Sequence, residues 1–141
     1  MYQRILVPID GSSRSLHTLG EAVTLASGFG SGVTLTVFHV NVPIALNDLS
    51  VGIDLTKVVE DEGLSILARA QPLLDRAPFA HDLRSVTGDP AQEICDLAKE
   101  GQYDLIVIGT RGHGLFTELL LGSVSHKVIA HAPCPVLVIR P

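Results

Sequence analysis

The stretch "IGTRGHGLFTELLLGSVS", residues 108–125, holds the residues whose types and spacing point most directly to chemistry. Gly109, Gly112 and Gly122 punctuate a loop with Glu118 as its only acid, and hydroxyls follow at Ser123 and Ser125. Glycine admits backbone angles closed to other residues and lets a ligand come close to the main chain. A turn built from Gly109 and Gly112 would therefore direct N–H groups at an anion. Gly122 opens a helical pattern, and a helix N-terminus adds unpaired N–H groups and the positive end of a dipole. With the two serine hydroxyls, and with Arg111, His113 and Lys127 as nearby cations, the chemistry expected is phosphate binding. Each glycine taken alone also fits a strand end or a helix start; the three together favour the anion seat.

Two familiar phosphate loops do not fit. No Gly-Lys-Ser/Thr follows, as the Walker loop requires, and the glycine spacing and late position differ from the dinucleotide fingerprint. A second candidate lies near the N-terminus, where Asp10 in "PIDGSS" directly follows an apolar run. Its carboxylate suits the two vicinal hydroxyls of a ribose, and "DGSS" equally suits Asp10 or Ser12 to capping a helix. The remaining titratable residues form no recognisable set. His17, His39, His81, His126 and His131 show neither HExxH nor zinc-finger spacing, so they read as surface or hydrogen-bonded side chains, and only His113 stands among the glycines. Cys95 and Cys134 make no CxxC pair; they read as small packing residues in a reducing cytoplasm.

These residues need elements to hold them. Short runs of branched aliphatics at 4–9, 32–40, 104–109 and 135–140 read as strands covered on both faces, as in a parallel sheet between helices. A more polar run at 81–88 suits a sheet edge. Between them lie helical patterns. The first carries Leu16, Leu19, Val23 and Ala26 and stops at Gly28 or Gly30. The second runs from about Leu55 to Leu74, with Val58, Val59, Leu64, Leu67 and Leu74 on or near one stripe. The third starts at Asp89 and Pro90 and buries Ile94, Leu97 and Ala98. The last, "SVSHKVIAHA", closes at Pro133. The order βαβαβαβαβ predicts a doubly wound, three-layer α/β fold with a five-stranded parallel sheet. In such sheets ligands sit beyond the carboxyl ends of the strands where the strand order reverses. The ends of the first, second and fourth strands bring Asp10, "FHV" and the glycine loop to that edge. Residues 41–55 resist assignment, and connections of that length often serve as lids or contact surfaces.

Composition narrows the function classes. The 141 residues predict one domain, residues 1–141, with 46% hydrophobic residues to fill a core. A net charge of −5 argues against a nucleic-acid partner, since clustered Lys and Arg are what grip a phosphate backbone. No run approaches the roughly 20 apolar residues that cross a bilayer, and the N-terminus does not read as a signal peptide, so a soluble cytoplasmic protein is expected.

The residues quoted so far resemble the ATP-binding branch of the universal stress protein family, marked by G-x2-G-x9-G-(S/T). Gly109, Gly112, Gly122 and Ser123 match it without a gap, and the likeness extends from "ILVPIDGS" to "PCPVLVIRP". The resemblance implies an adenine-nucleotide α-hydrolase-like sheet of order 3-2-1-4-5. It also implies that Pro8 and Asp10 border adenosine, that the Val40 main chain meets the base, and that Ile108 and Gly109 flank the ribose and first phosphate. Gly112, Gly122, Ser123, Val124 and Ser125 would surround the phosphates of ATP, with Mg²⁺ carried mainly by those phosphates. A homodimer paired through the last strand, 135–140, is implied as well, whereas the segment 41–55 matches no fixed family pattern. The expected role is a nucleotide-dependent sensor or switch of the stress response with slow or absent hydrolysis, because the glycine loop lacks a dedicated base. Two alternatives stand beside it. One is an ATP-hydrolysing or adenylate-transferring enzyme of the same superfamily, disfavoured because SGGxDS and HxGH are missing; the other is a scaffold binding AMP or cyclic AMP.

Overall fold

The computed structural model describes residues 2–44, 55–110 and 121–141. Along the chain these form β1 (Arg4–Pro8), α1 (Ser13–Ser27), β2 (Thr34–Asn41), α2 (Leu55–Leu74), β3 (Ala80–Thr87), α3 (Pro90–Glu100), β4 (Leu105–Gly109), α4 (Ser123–His131) and β5 (Val136–Ile139). The strands make one five-stranded sheet in the order β3-β2-β1-β4-β5, with every pairing parallel. The polar strand β3 takes one edge, as its composition predicts.

Strand side chains alternate between faces, and each face has its own apolar cluster. Ile5, Val7, Leu35, Val37, Leu105 and Val107 pack with Leu19, Ala22 and Ala26 of α1 and Ile66, Leu67, Ala70 and Leu74 of α2. Leu6, Phe38, Val40, Ile106 and Ile108 pack with Ala91, Ile94 and Ala98 of α3 and Val128 of α4. Two helices per face account for the unbroken apolarity of β1, β2 and β4. Between the layers the Tyr103 hydroxyl donates to Thr36 Oγ1 at 2.8 Å. The Asp104 carboxylate accepts the Gln3 and Arg4 N–H groups at 2.9 and 3.0 Å, tying the start of β1 to the start of β4.

Local signals set the helix ends. Ser12 caps α1 by accepting the Ser15 N–H, Asp89 caps α3 by accepting the Gln92 N–H, and Pro90 stands in the first turn of α3. Two sequence expectations change. The stripe of α2 is Gly63, Ile66, Leu67, Ala70 and Leu74, while Val58 and Leu64 are 49% and 60% exposed. Small residues let this helix lie close to the sheet, and a count of large aliphatics overlooks them. The last strand is not covered on both faces either: β5 is an edge strand, half-buried, with Leu137 37% exposed. Of the unassigned segment 41–55, Asn41 belongs to β2 and Leu55 to α2, and 45–54 lie outside the described residues.

Cys95 and Cys134 are free thiols, partly buried against the α3/α4 cluster. Burial pushes the Cys95 thiol above its ordinary pKa, and the Asp96 carboxylate adds to the effect. Burial also raises Cys134, with further contributions from Asp104 and Cys95. Raised pKa values keep both protonated near neutral pH, so iodoacetamide at pH 8 should modify them roughly threefold or more slowly than free cysteine, followed by mass spectrometry. Modification at the free-cysteine rate would contradict this environment. Ile106, wholly buried between β1 and β5, tests the layer packing. Ile106→Ala should lower stability to urea by about 2–5 kcal/mol.

Candidate functional site

A cavity of about 810 Å³ opens beyond the carboxyl ends of β1, β2 and β4, on the edge where the chain reverses its order across the sheet. Its size is that of a small-molecule or cofactor site. The structure brings Pro8, Asp10, Val40, Ile108, Gly109, Gly122, Ser123, Val124 and Ser125 onto its wall. Gly112, together with Arg111, His113 and Glu118, lies outside the described residues.

The β1–α1 turn fixes Asp10. Gly11 has φ +87°, a left-handed conformation that glycine takes without strain, and it turns the chain so that Asp10 Oδ1 accepts the Ser12 N–H at 2.9 Å. Ser12, not Asp10, is the helix cap, so the carboxylate holds the turn that enters α1 and faces the cavity. The Arg69 guanidinium braces the same turn by donating to Gly11 O at 3.1 Å.

The second wall comes from the end of β2. Phe38 O accepts the Ile9 N–H on the β1 side, and Asn41 O accepts the Gly88 N–H on the β3 side. Main-chain groups alternate sides along a strand, so the Val40 N–H and C=O face the space past the end of β1. His39 is buried and donates through Nδ1 to Ile9 O at 2.9 Å, which fixes its ring at the cavity wall.

The third wall joins β4 to α4. Gly122 is the N-cap of α4, carries no side chain to cap the first turn, and donates its N–H to Thr110 O. The leading N–H groups of α4 are therefore left for an anion at this end of the cavity. Gly122 has an ordinary φ of −65°, and Gly109 is not among the positive-φ residues. Their use is close approach to the main chain; the glycine that needs the left-handed region here is Gly11. Ser125 has a further contact beside its place on the cavity wall. It is buried, and its hydroxyl donates to Gly109 O at 2.7 Å, locking the end of β4 to the first turn of α4. Ser123, exposed at the start of the helix, keeps the position of a hydroxyl donor to an anion.

Sequence reasoning brought His39 to this edge within "FHV" without giving it a role, and it missed Ser15, Asn41, Glu62 and Ile66, all on the cavity wall. For His39 and Asn41 a signal existed, since both stand at the carboxyl end of a central strand. Glu62 and Ile66 arrive from α2 through tertiary packing, which no local pattern announces. Among the described residues, no three His, Cys, Asp or Glu side chains gather as a metal site. No helix among them is long and apolar enough to cross a membrane.

The turn at Gly11 offers a direct check on how Asp10 is held. A Cβ there would meet Ile66 Cγ1 and Arg69 Nη2 at 2.9 Å and would impose strain at φ +87°. Gly11→Ala should cost about 1–3 kcal/mol in chemical denaturation. Stability equal to the parent would show that the turn tolerates a side chain and that Asp10 is not fixed this way.

Comparison with known proteins supplies the family. The universal stress protein family model matches residues 1–140. Universal stress protein YxiE of Bacillus subtilis is 36% identical over 150 residues, covering 99% of this chain and 100% of its own. Among solved structures, universal stress protein UspA from Lactobacillus plantarum is 31% identical, with TM-score 0.79 over 99% of this chain and 98% of its own. The universal stress protein from Archaeoglobus fulgidus, solved in complex with dAMP, is 26% identical, with TM-score 0.71 over 98% of each chain. With the glycine loop, the strand order and the whole-chain match in agreement, this chain belongs to the universal stress protein family.

Proposed function

We propose that this chain binds an adenine nucleotide, ATP foremost, in the cavity at the β1/β4 edge and acts as a nucleotide-dependent sensor or switch of the cytoplasmic stress response. One observation carries the reading: the described residues marked by the family motif and by Asp10 converge on a single cavity, in a chain whose relative was solved with dAMP. The Val40 main chain meets the base, Asp10 accepts from the ribose hydroxyls, and Pro8 and Ile108 border the sugar. Gly109, Gly112, Gly122, Ser123 and Val124 present main-chain N–H groups and the Ser123 hydroxyl to the phosphates. Ser125 acts through Gly109, by holding its carbonyl. Mg²⁺ arrives on the phosphates, which supply the hard oxygen ligands that such an ion prefers.

Turnover is slow or absent in this reading. Asp10 and Glu62 are the carboxylates of the cavity wall among the described residues. Asp10 is engaged with its own turn and with the ribose, and Glu62 comes from α2, across the cavity from α4. A rate above about one per minute would assign the protein to the hydrolytic members of the superfamily, since ordinary enzymes run at roughly 1–1000 per second. The dAMP-bound relative favours a second reading, in which the occupant is a monophosphate and the protein is a scaffold. Competition between ATP and AMP separates the two: ATP displacing AMP at least tenfold more effectively supports the triphosphate seat (about 1.4 kcal/mol).

The half-buried edge strand β5 supports a homodimer through residues 135–140, because a second copy would cover an apolar edge that otherwise invites aggregation. Gly122→Val places a branched side chain where the nucleotide would approach the α4 N-terminus. Calorimetry should then show ATP binding lost, roughly a hundredfold or more, while sedimentation still reports a dimer. Unchanged affinity would remove the glycine loop from the site.

A further inference from the structure

His39 stands near the end of β2, 8% exposed and on the cavity wall. One nitrogen of its ring is paired, with Nδ1 bonded to Ile9 O at 2.9 Å. A carbonyl oxygen only accepts, so this bond holds the proton on Nδ1 and leaves Nε2 of the neutral ring with a lone pair. Among the described residues Nε2 has no partner, and the side-chain atom sealed in without one is Asn41 Oδ1. Nε2 therefore stays open where the ring meets the cavity. The neutral ring cannot become a donor there by exchanging tautomers, because Nδ1 would then turn a lone pair on Ile9 O. His39 is thus a buried acceptor whose character is locked by the main chain of the neighbouring strand.

The strand order β2-β1-β4 sets which part of a ligand it meets. Phosphates at the start of α4 lie beside β4, a ribose at Asp10 lies past β1, and the base of an extended nucleotide continues over the end of β2. The Ile9 N–H closes on Phe38 O, and His39 and Val40 follow past that bond. Adenine carries an amino donor at position 6, whereas a 6-oxo purine carries an acceptor there. Nε2 pairs with the first and meets the second lone pair to lone pair, which leaves two desolvated acceptors unsatisfied. The charged groups on the wall among the described residues, Asp10 and Glu62, are carboxylates and supply no donor that would compensate a 6-oxo group. We propose that His39 is a base-selecting residue of the cavity: Nε2 accepts from the 6-amino group of adenine, and Ile9 O fixes the tautomer that turns 6-oxo purines away. This inference rests on the adenine-nucleotide reading above.

Calorimetric titration of the full chain with ATP and with ITP, the 6-oxo analogue, tests it in the parent, His39→Asn and His39→Gln. The parent should prefer ATP by roughly tenfold. The asparagine NH₂ takes the place of the Nδ1–H group, so His39→Asn keeps the bond to Ile9 O and lacks the acceptor at Nε2. It should lose roughly fivefold in ATP affinity and bind ITP within about twofold of the parent, so the preference shrinks. A glutamine amide reaches the place of Nε2 and is not locked by Ile9 O, so it can offer either its oxygen or its NH₂. His39→Gln should hold ATP within about threefold of the parent and bind ITP roughly fivefold more tightly than the parent does. Opposite signatures of this kind, one variant losing ATP and the other gaining ITP, are not produced by a residue that only supports the fold. A parent-like ATP-to-ITP ratio in both variants would overturn the role of His39 and leave adenine binding intact. A parent that binds neither nucleotide would overturn both readings together.

Discussion

The structure depends on one constraint: β1 lies at the centre of a parallel sheet, with β2 on one side and β4 on the other. Parallel neighbours must be joined by crossovers, and here the chain winds outward from β1 first in one direction and then in the other. The connections leaving β1 and β4 therefore part at the carboxyl edge and open a crevice that neither helix layer can fill. Apolar burial on both faces makes the sheet rigid, with Leu6, Val7, Ile106 and Val107 wholly buried. The polar residues just past the strand ends inherit their positions from that rigidity. Asp10, Val40 and Gly109 lie far apart in the chain and share a cavity because the register of three strands brings their ends level.

Main-chain groups dominate this crevice. Gly122 leaves the first turn of α4 without a side-chain cap, Val40 directs its peptide groups past the end of β1, and Gly11 bends the chain so that Asp10 can hold it. The side chains that matter chiefly position backbone: Ser125 fixes Gly109, Arg69 braces Gly11, and His39 binds the Ile9 carbonyl. Among the described residues, a site of this kind is suited to holding a ligand. The proposed sensor role needs only occupancy, because the free energy of binding can shift a conformation or an interface without consuming the ligand.

Much of this was legible in the sequence. Continuous aliphatic runs identified the strands, and "GDP" announced the start of α3 because both an acidic cap and a first-turn proline have local physical causes. The strand order came from the family resemblance, since five parallel strands admit several orders. What failed to show was set by packing between distant elements. Gly63 and Ala70 belong to the buried stripe of α2 through their smallness, whereas Val58 and Leu64 look like core by type and face outward. The Ser125 contact with Gly109, across 16 residues of chain, likewise has no local signal.

The central claim is that the crevice between the ends of β1 and β4 holds an adenine nucleotide. A crystal structure of the protein grown with excess ATP and Mg²⁺ tests this most directly. Density for the base beside Val40, the ribose at Asp10 and the phosphates at the start of α4 is the predicted result. The crevice filled by the protein's own side chains, with the nucleotide bound elsewhere or absent, would contradict the account.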